Sequence, residues 1–293
     1  MRYPSELLLL GILLICINGF TGSTFDTITK FLSLNNYKWY HYYSIGLTIS
    51  LLILLIFLQF NGGIIKHILL EKKQYYLIPI IRGLQFAFIT PIIFYSLKYI
   101  PINIFTTLLM TTPFFLIIFA KFILNEKLNS ISWIAIIIGF IGVLIVLKPT
   151  NANLNIYVIL ILLVAITNAL SFTVVNKYSY MATTFGFTFY GIIPATLFSY
   201  LFFFTNPMIP TGKEFLLFGS SGVIVMISAW AFTAAYHIAG KYSSIISPFI
   251  FLQILWGSLY GVIFFSEKIG VISILGIFII IVSGSIAVYN RNK

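Results

Sequence analysis

The sequence predicts an all-α polytopic membrane protein, with ten transmembrane helices arranged as two inverted five-helix repeats. Three observations predict it. The 293-residue chain is 60% hydrophobic and only 8% charged, where a soluble domain carries about 25% charged residues. Its apolar residues gather in ten runs, each near the ~20 residues that cross a bilayer. Landmarks of the first five runs return in order in the second five. Helices follow, because a helix satisfies its own backbone hydrogen bonds where there is no water.

The spans read roughly as 7–27, 39–60, 76–97, 101–123, 131–148, 155–175, 183–204, 215–238, 245–265 and 269–289. Their connections are short, so neighbouring helices run antiparallel. The longest polar connection runs from Asn61 to Gln74 and holds Lys66, Lys72 and Lys73. The start (Met1, Arg2, then Leu7 to Ile17) resembles a signal peptide but lacks a small-x-small cleavage site. It reads as a retained first helix.

The net charge is +11, but the 17 Lys and Arg are scattered singly between spans. That pattern writes membrane topology and does not form a nucleic-acid footprint. With the N-terminus inside, ten basic residues fall inside: Arg2, Lys66, Lys72, Lys73, Lys121, Lys127, Lys177, Lys241, Arg291 and Lys293. Six fall outside, namely Lys30, Lys38, Lys98, Lys148, Lys213 and Lys268, and Arg82 lies within the third span. The excess puts both termini in the cytoplasm.

The duplication rests on ordered landmarks. Lys98-Tyr99-Ile100-Pro101 corresponds to Lys241-Tyr242-Ser243-Ser244. Each opens a run containing a proline, Pro113 or Pro248, and ending in Glu126-Lys127 or Glu267-Lys268. Phe25-x4-Lys30 corresponds to Phe172-x4-Lys177. The repeats then cover 5–149 and 154–290. Five spans per repeat put Glu126 inside and Glu267 outside, the inverted arrangement of many transporters.

Other classes are poorly served. Cys16 is the single cysteine, so neither an internal disulfide nor a cysteine metal site is available. His41, His67 and His237 lack metal-ligand spacing, and a membrane-embedded enzyme needs clustered acid-base or metal groups. A channel needs a ring of polar side chains that so few cannot supply. The phosphate-binding Gly-x4-Gly-Lys-Ser/Thr pattern does not occur. No cofactor and no metal are expected.

Several stretches carry a resemblance: Ile81-Arg82-Gly83-Leu84, Tyr95-Ser96-Leu97-Lys98-Tyr99-Ile100-Pro101, Thr112-Pro113-Phe114, Leu124-Asn125-Glu126, and Gly139-Phe140-Ile141-Gly142-Val143 running to Lys148-Pro149. In the second half, Ser247-Pro248-Phe249 through Gln253, Trp256, Gly261 and Phe265-Ser266-Glu267 repeats the pattern. These resemble the drug/metabolite transporter superfamily, specifically its EamA-type bacterial permeases. Within that family the chain is similar to S-adenosylmethionine uptake permeases, through Asp26 to Lys30, Arg82-Gly83 and Leu217-Phe218-Gly219-Ser220-Ser221-Gly222. One departure is His41, in Trp39-Tyr40-His41-Tyr42, where many relatives have arginine. The resemblance implies a secondary transporter of a small metabolite in the bacterial inner membrane, working by alternating access. S-adenosylmethionine is the implied substrate, and an amino-acid or other metabolite exporter of the same family is the alternative.

The substrate-binding candidates are Asn18, Asp26, Arg82, Gln85, Asn168, Trp230 and Gln253. An intramembrane carboxylate is costly and is by default functional. Asp26 lies four residues before Lys30, on one helix face. It reads as a proton or cation site, or as an interfacial ion pair with Lys30 snorkelling to water. Arg82, with Gln85 on its face, suits a carboxylate or phosphate, or else reaches the inner headgroups. Asn18 and Asn168 occupy matching places in the two repeats, and with Gln253 they line a central pocket or bond between helices. Trp230, and less so Tyr190, Tyr236 and Trp256, offer an aromatic wall for a planar or cationic ligand. Pro91, Pro113 and Pro194 bend their spans. Gly139, Gly142, Gly276 and Gly284 make spans five and ten a packing or homodimer face. Glu126 and Glu267 read as helix caps. The expected partners are a small-molecule substrate and the lipid bilayer, and no nucleic acid.

Overall fold

The computed structural model describes residues 4–126, 128–147, 155–239 and 243–291. Arg2, Lys127, Lys148, Pro149, Lys241, Tyr242 and Lys293, used as landmarks above, lie outside the described residues, as does the side chain of His237. Among the described residues there is no strand, and ten helical spans are long and apolar enough to cross a membrane. The helices are α1 (Pro4–Leu34), α2 (Trp39–Phe60), α3 (Ile64–Ile68), α4 (Leu77–Tyr99), α5 (Ile102–Leu109), α6 (Thr112–Ile123), α7 (Ser130–Leu147), α8 (Ile156–Lys177), α9 (Thr184–Phe203), α10 (Gly212–Ala239), α11 (Ser243–Ile246), α12 (Leu252–Phe265) and α13 (Val271–Arg291).

Three spans differ from expectation. The first runs on to Leu34, so Asp26 and Lys30 lie inside a helix and not at its edge. The fourth is broken into α5 and α6 at Met110–Thr111, and the ninth opens with a 3-10 turn, Ser247–Phe251. Both breaks precede or contain a proline, Pro113 and Pro248.

A proline lacks the N–H that would bond the carbonyl four residues back. In lipid that carbonyl needs another partner. The chain supplies one repeatedly. Thr90 Oγ1 donates to the Ala87 carbonyl freed by Pro91, at 2.8 Å. Thr112 Oγ1 donates to the Leu109 carbonyl freed by Pro113, at 2.6 Å. Lys30 Nζ donates to the Leu97 carbonyl freed by Pro101, at 3.1 Å. The Tyr190 carbonyl freed by Pro194 faces Gly83, where a Cβ would collide with that oxygen. Only glycine permits so close an approach of α4 to α9.

Two helix ends repeat each other. Asn125 and Ser266 are left-handed, with φ of 58° and 53°. The following N–H groups reach back over the helix end, Glu126 to the Ala120 carbonyl (3.3 Å) and Glu267 to the Gly261 carbonyl (3.0 Å). A left-handed residue at a helix end turns the chain so that a following N–H can reach back to a late helical carbonyl. Glu267 is a cap, as expected: its carboxylate oxygens accept from Ile102 N at 2.9 and 3.0 Å, at the start of α5. Residues 11–20 of α1 and 161–170 of α8 also pass through the same order of buried, half-buried and exposed positions, residue for residue. Asn18 and Asn168 fall on the same step.

The chain divides into two compact units, and neither is a contiguous half. The first takes Met1–Thr27, Tyr99–Thr173 and Ile227–Lys293. Within it α7 packs along α13, α5 against α12, and α13 also against the 3-10 turn. The glycine stripe is used inside the chain. Gly142 and Gly276 bring the backbones of α7 and α13 together, each Cβ position lying about 3 Å from the other's carbonyl oxygen. Gly139 and Gly284 receive the rings of Phe114 and Phe251. The second unit takes Ile28–Lys98 and Val174–Met226; within it α2 packs along α9, and α3 touches both. Spans two and seven, four and nine, and five and ten are therefore packed as pairs.

Candidate functional site

The polar residues of the first unit gather where α1 crosses α12. The α1 segment carries Asn18, Gly19, Gly22, Ser23, Thr24 and Asp26. Gln253 is the second residue of α12, just past the 3-10 turn. Asp26 is 5% exposed and Gln253 9%. Gln253 Nε2 donates to Asp26 Oδ2 at 3.3 Å. Ser23 Oγ donates to the Gln253 backbone carbonyl at 2.9 Å, which ties α1 to the start of α12. Gly22 makes room for the amide, since a Cβ there would lie 3.1 to 3.3 Å from Gln253 Nε2, Cδ and Oε1.

Two further contacts extend the seam. Asn18 Nδ2 donates to Ser228 of α10, at 2.9 Å to Oγ and 3.1 Å to the carbonyl. Thr24 Oγ1 and Tyr260 OH are 3.1 Å apart. Phe20 sets its edge against Trp256 and Tyr260, with ring centroids at 5.1 and 6.1 Å. The site therefore holds one carboxylate, two amides, several hydroxyls and an aromatic cluster. Such a set can hold a positive charge and hydrogen-bond around it.

Of the sequence candidates, Asp26 and Gln253 are brought together, and Asn18 lies one contact further along the same helix. Asn168 is half-buried on α8 of the same unit. Trp230 is 47% exposed on α10. Arg82 and Gln85 are half-buried on α4 and belong to the second unit. Lys30 does not snorkel: it is 6% exposed and donates to the Leu97 carbonyl. Tyr190, an aromatic-wall candidate, donates its hydroxyl to the Ile68 carbonyl at 2.6 Å. Tyr236 OH meets Ser247 Oγ at 2.8 Å.

Sequence reasoning missed Ser23, Thr24, Ser228 and Tyr260. A signal was present. Gly19, Gly22, Ser23 and Asp26 fall at helical spacing on α1, and Gln253, Trp256 and Tyr260 at i, i+3 and i+7 on α12. Among the described residues no group of His, Cys, Asp and Glu could hold a metal ion. His41 is held at Nε2 by the Asn206 carbonyl at 2.7 Å.

Residues 9–148 match the EamA-like transporter family. The chain is 26% identical over 250 residues to the S-adenosylmethionine uptake transporter of Rickettsia felis, covering 83% of this chain and 81% of that one. It is 23% identical over 287 residues to the pseudopaline exporter of Pseudomonas aeruginosa, covering 95% of each. It is 31% identical over 143 residues to the riboflavin transporter of Vibrio cholerae, covering 48% of this chain and 47% of that one. A solved crystal structure matches 97% of this chain and 96% of its own, at TM-score 0.65 and 15% identity, which supports the ten-span helical fold. Ten apolar spans make the chain an integral membrane protein, and the match over residues 9–148 and the relatives named as transporters make it similar to EamA-like transporters.

Proposed function

We propose that the protein is a secondary transporter of a small metabolite in the bacterial inner membrane, with S-adenosylmethionine as its substrate and both termini cytoplasmic. The two repeats, 5–149 and 154–290, are inverted copies, and transport proceeds by alternating access. The matched burial order on α1 and α8 and the repeated helix ends at Asn125 and Ser266 support the duplication. Asn18, Asp26, Arg82, Gln85, Asn168, Trp230 and Gln253 contact the solute.

The observation that carries this reading is the buried Asp26–Gln253 pair, joining the same two helices whose Phe20, Trp256 and Tyr260 rings meet. S-adenosylmethionine has a cationic sulfonium, an ammonium, a carboxylate and a purine. A buried carboxylate suits the sulfonium or the ammonium, and Arg82 suits the carboxylate. The test is uptake of labelled S-adenosylmethionine into proteoliposomes, competed with amino acids and nucleosides. Saturable uptake, competed by neither, supports the reading. No uptake sinks the substrate assignment.

Export is the second reading, because the pseudopaline exporter matches along 95% of the chain. Accumulation by inside-out vesicles but not by right-side-out cells would favour it. Cysteine labelling beside Glu126 and Glu267 tests the inversion; both sites reacting from one side of the membrane would remove it.

A further inference from the structure

We propose that the connection between α2 and α4, together with the end of α8, is a docking surface for the headgroups of anionic phospholipids in the leaflet it borders. The surface lies in the second unit, apart from the α1–α12 seam, and does not depend on which solute is moved.

The connection is pinned to α9. His67 Nδ1 meets Thr183 Oγ1, at the cap of α9, at 3.0 Å, and His67 Nε2 faces the Asn61 carbonyl at 3.0 Å. Tyr190 OH donates to the Ile68 carbonyl at 2.6 Å, and Leu70 N donates to Tyr76 OH at 3.0 Å. A Cβ on Gly186 would lie 2.7 Å from the His67 carbonyl oxygen. Gly186 and Tyr190 both belong to the first two turns of α9. So α3 lies against the start of a membrane span, at the depth where that span begins.

The exposed side of this connection is both apolar and basic. Ile65 and Leu69 are 73% and 69% exposed, and Phe60 at the end of α2 is 84% exposed. Lys66, Lys72 and Lys73 of the same stretch are exposed too. Rings carry the surface on to the next loop at this end. Lys72 Nζ sits over the Tyr75 ring at 5.6 Å, and Tyr75 sets its edge against Tyr180 at 5.8 Å. Tyr180 meets Tyr178 at 6.3 Å, and Lys177 Nζ lies over Tyr178 at 6.0 Å. Across residues 61–76 and 174–183 there are four lysines and a single acid, Glu71.

That combination suits a charged leaflet. Apolar side chains at a span boundary enter the acyl region, while lysines reach outward to phosphate. Each lysine close to a negative surface strengthens binding about fivefold. A zwitterionic headgroup brings its own cation and forfeits most of that gain. A soluble phosphate would meet the lysines but have no use for Ile65 and Leu69. On the orientation proposed above, the leaflet is the cytoplasmic one.

The test uses the purified full chain in detergent with phosphatidylglycerol or phosphatidylcholine added, and counts the lipid retained by native mass spectrometry. The wild type should retain phosphatidylglycerol about tenfold over phosphatidylcholine. The triple variant Lys66→Gln, Lys72→Gln, Lys73→Gln should bring the two within about twofold of each other. Glu71→Gln should raise phosphatidylglycerol retention, a gain that misfolding cannot mimic. Ile65→Ser with Leu69→Ser should lower it at unchanged charge. Lys213→Gln, beyond the far end of α9, should leave the preference as it is. Equal retention of the two lipids by the wild type, or an undiminished preference in the triple variant, overturns the proposal. Full competition by glycerol 3-phosphate also overturns it, because the surface would then be a site for soluble phosphate.

Discussion

The seam between α1 and α12 and the ends of α2 and α9 both bury ionisable side chains, yet they use them differently. His67 is 7% exposed, as buried as Asp26 at 5%. Its Nε2 faces the Asn61 carbonyl at 3.0 Å, and its Nδ1 meets Thr183 Oγ1 at 3.0 Å. His41 likewise ends on the Asn206 carbonyl. These rings are pinned to backbone near helix ends, where they staple loops. Asp26, within a helix, meets the side-chain amide of Gln253. Burial alone therefore does not tell these groups apart. A backbone carbonyl holds each of the two rings, whereas a side-chain amide meets Asp26.

Substitutions can break or sharpen that contrast. The largest effect is expected in the second unit from Gly83→Val. Its Cβ would meet the Tyr190 carbonyl and Pro194 within 2.6 Å, so stability should fall by about 3 kcal/mol, read as a lower melting temperature. His67→Ala should cost about 2 kcal/mol through two lost buried hydrogen bonds, with the transport pH profile unchanged; a changed profile would erase the distinction drawn here. Asp26→Asn should do the reverse. The carboxamide keeps the Gln253 contact, so melting should hold while uptake falls about tenfold, equivalent to about 1.4 kcal/mol. Trp230→Leu should change uptake only about twofold, the scale of an exposed ring's contact with a cation, because that ring is 47% exposed.

The smallest effect concerns pH at a helix-end loop. Tyr37 OH donates to Glu214 Oε1 at 2.9 Å. That bond, then burial and the carboxylate's charge, raise the phenol's pKa above its ordinary value. A raised value favours the protonated phenol, so this contribution is present below the unfolded phenol's pKa and is lost as pH rises through the folded one. Tyr37→Phe should remove that alkaline slope from a melting-versus-pH series without altering uptake near neutrality.

Much of the fold was legible because hydropathy reports where a window of residues would dissolve. The ten spans came from that, and the cap at Glu267 from its place after an apolar run. Window averages do not see a break in mid-span, so the split at Met110–Thr111 was missed. They smooth over single polar residues too, so α1 was ended near Asp26 when it continues to Leu34. Asp26 and Gln253 stood out as polar residues in apolar runs. That they are partners, 227 residues apart, could not be read from either run.

Composition and pattern alone decided that this chain lives in lipid, how many times it crosses, and which residues are too polar to be there by accident. Those properties are additive along the chain, each residue contributing its own transfer free energy. Tertiary structure alone decided that Lys30 serves the carbonyl freed by Pro101 while Asp26 faces Gln253, and that the packed units draw on both halves. Partner choice depends on which backbones approach closely enough for a hydrogen bond, and distance in space is not encoded in any local stretch of sequence.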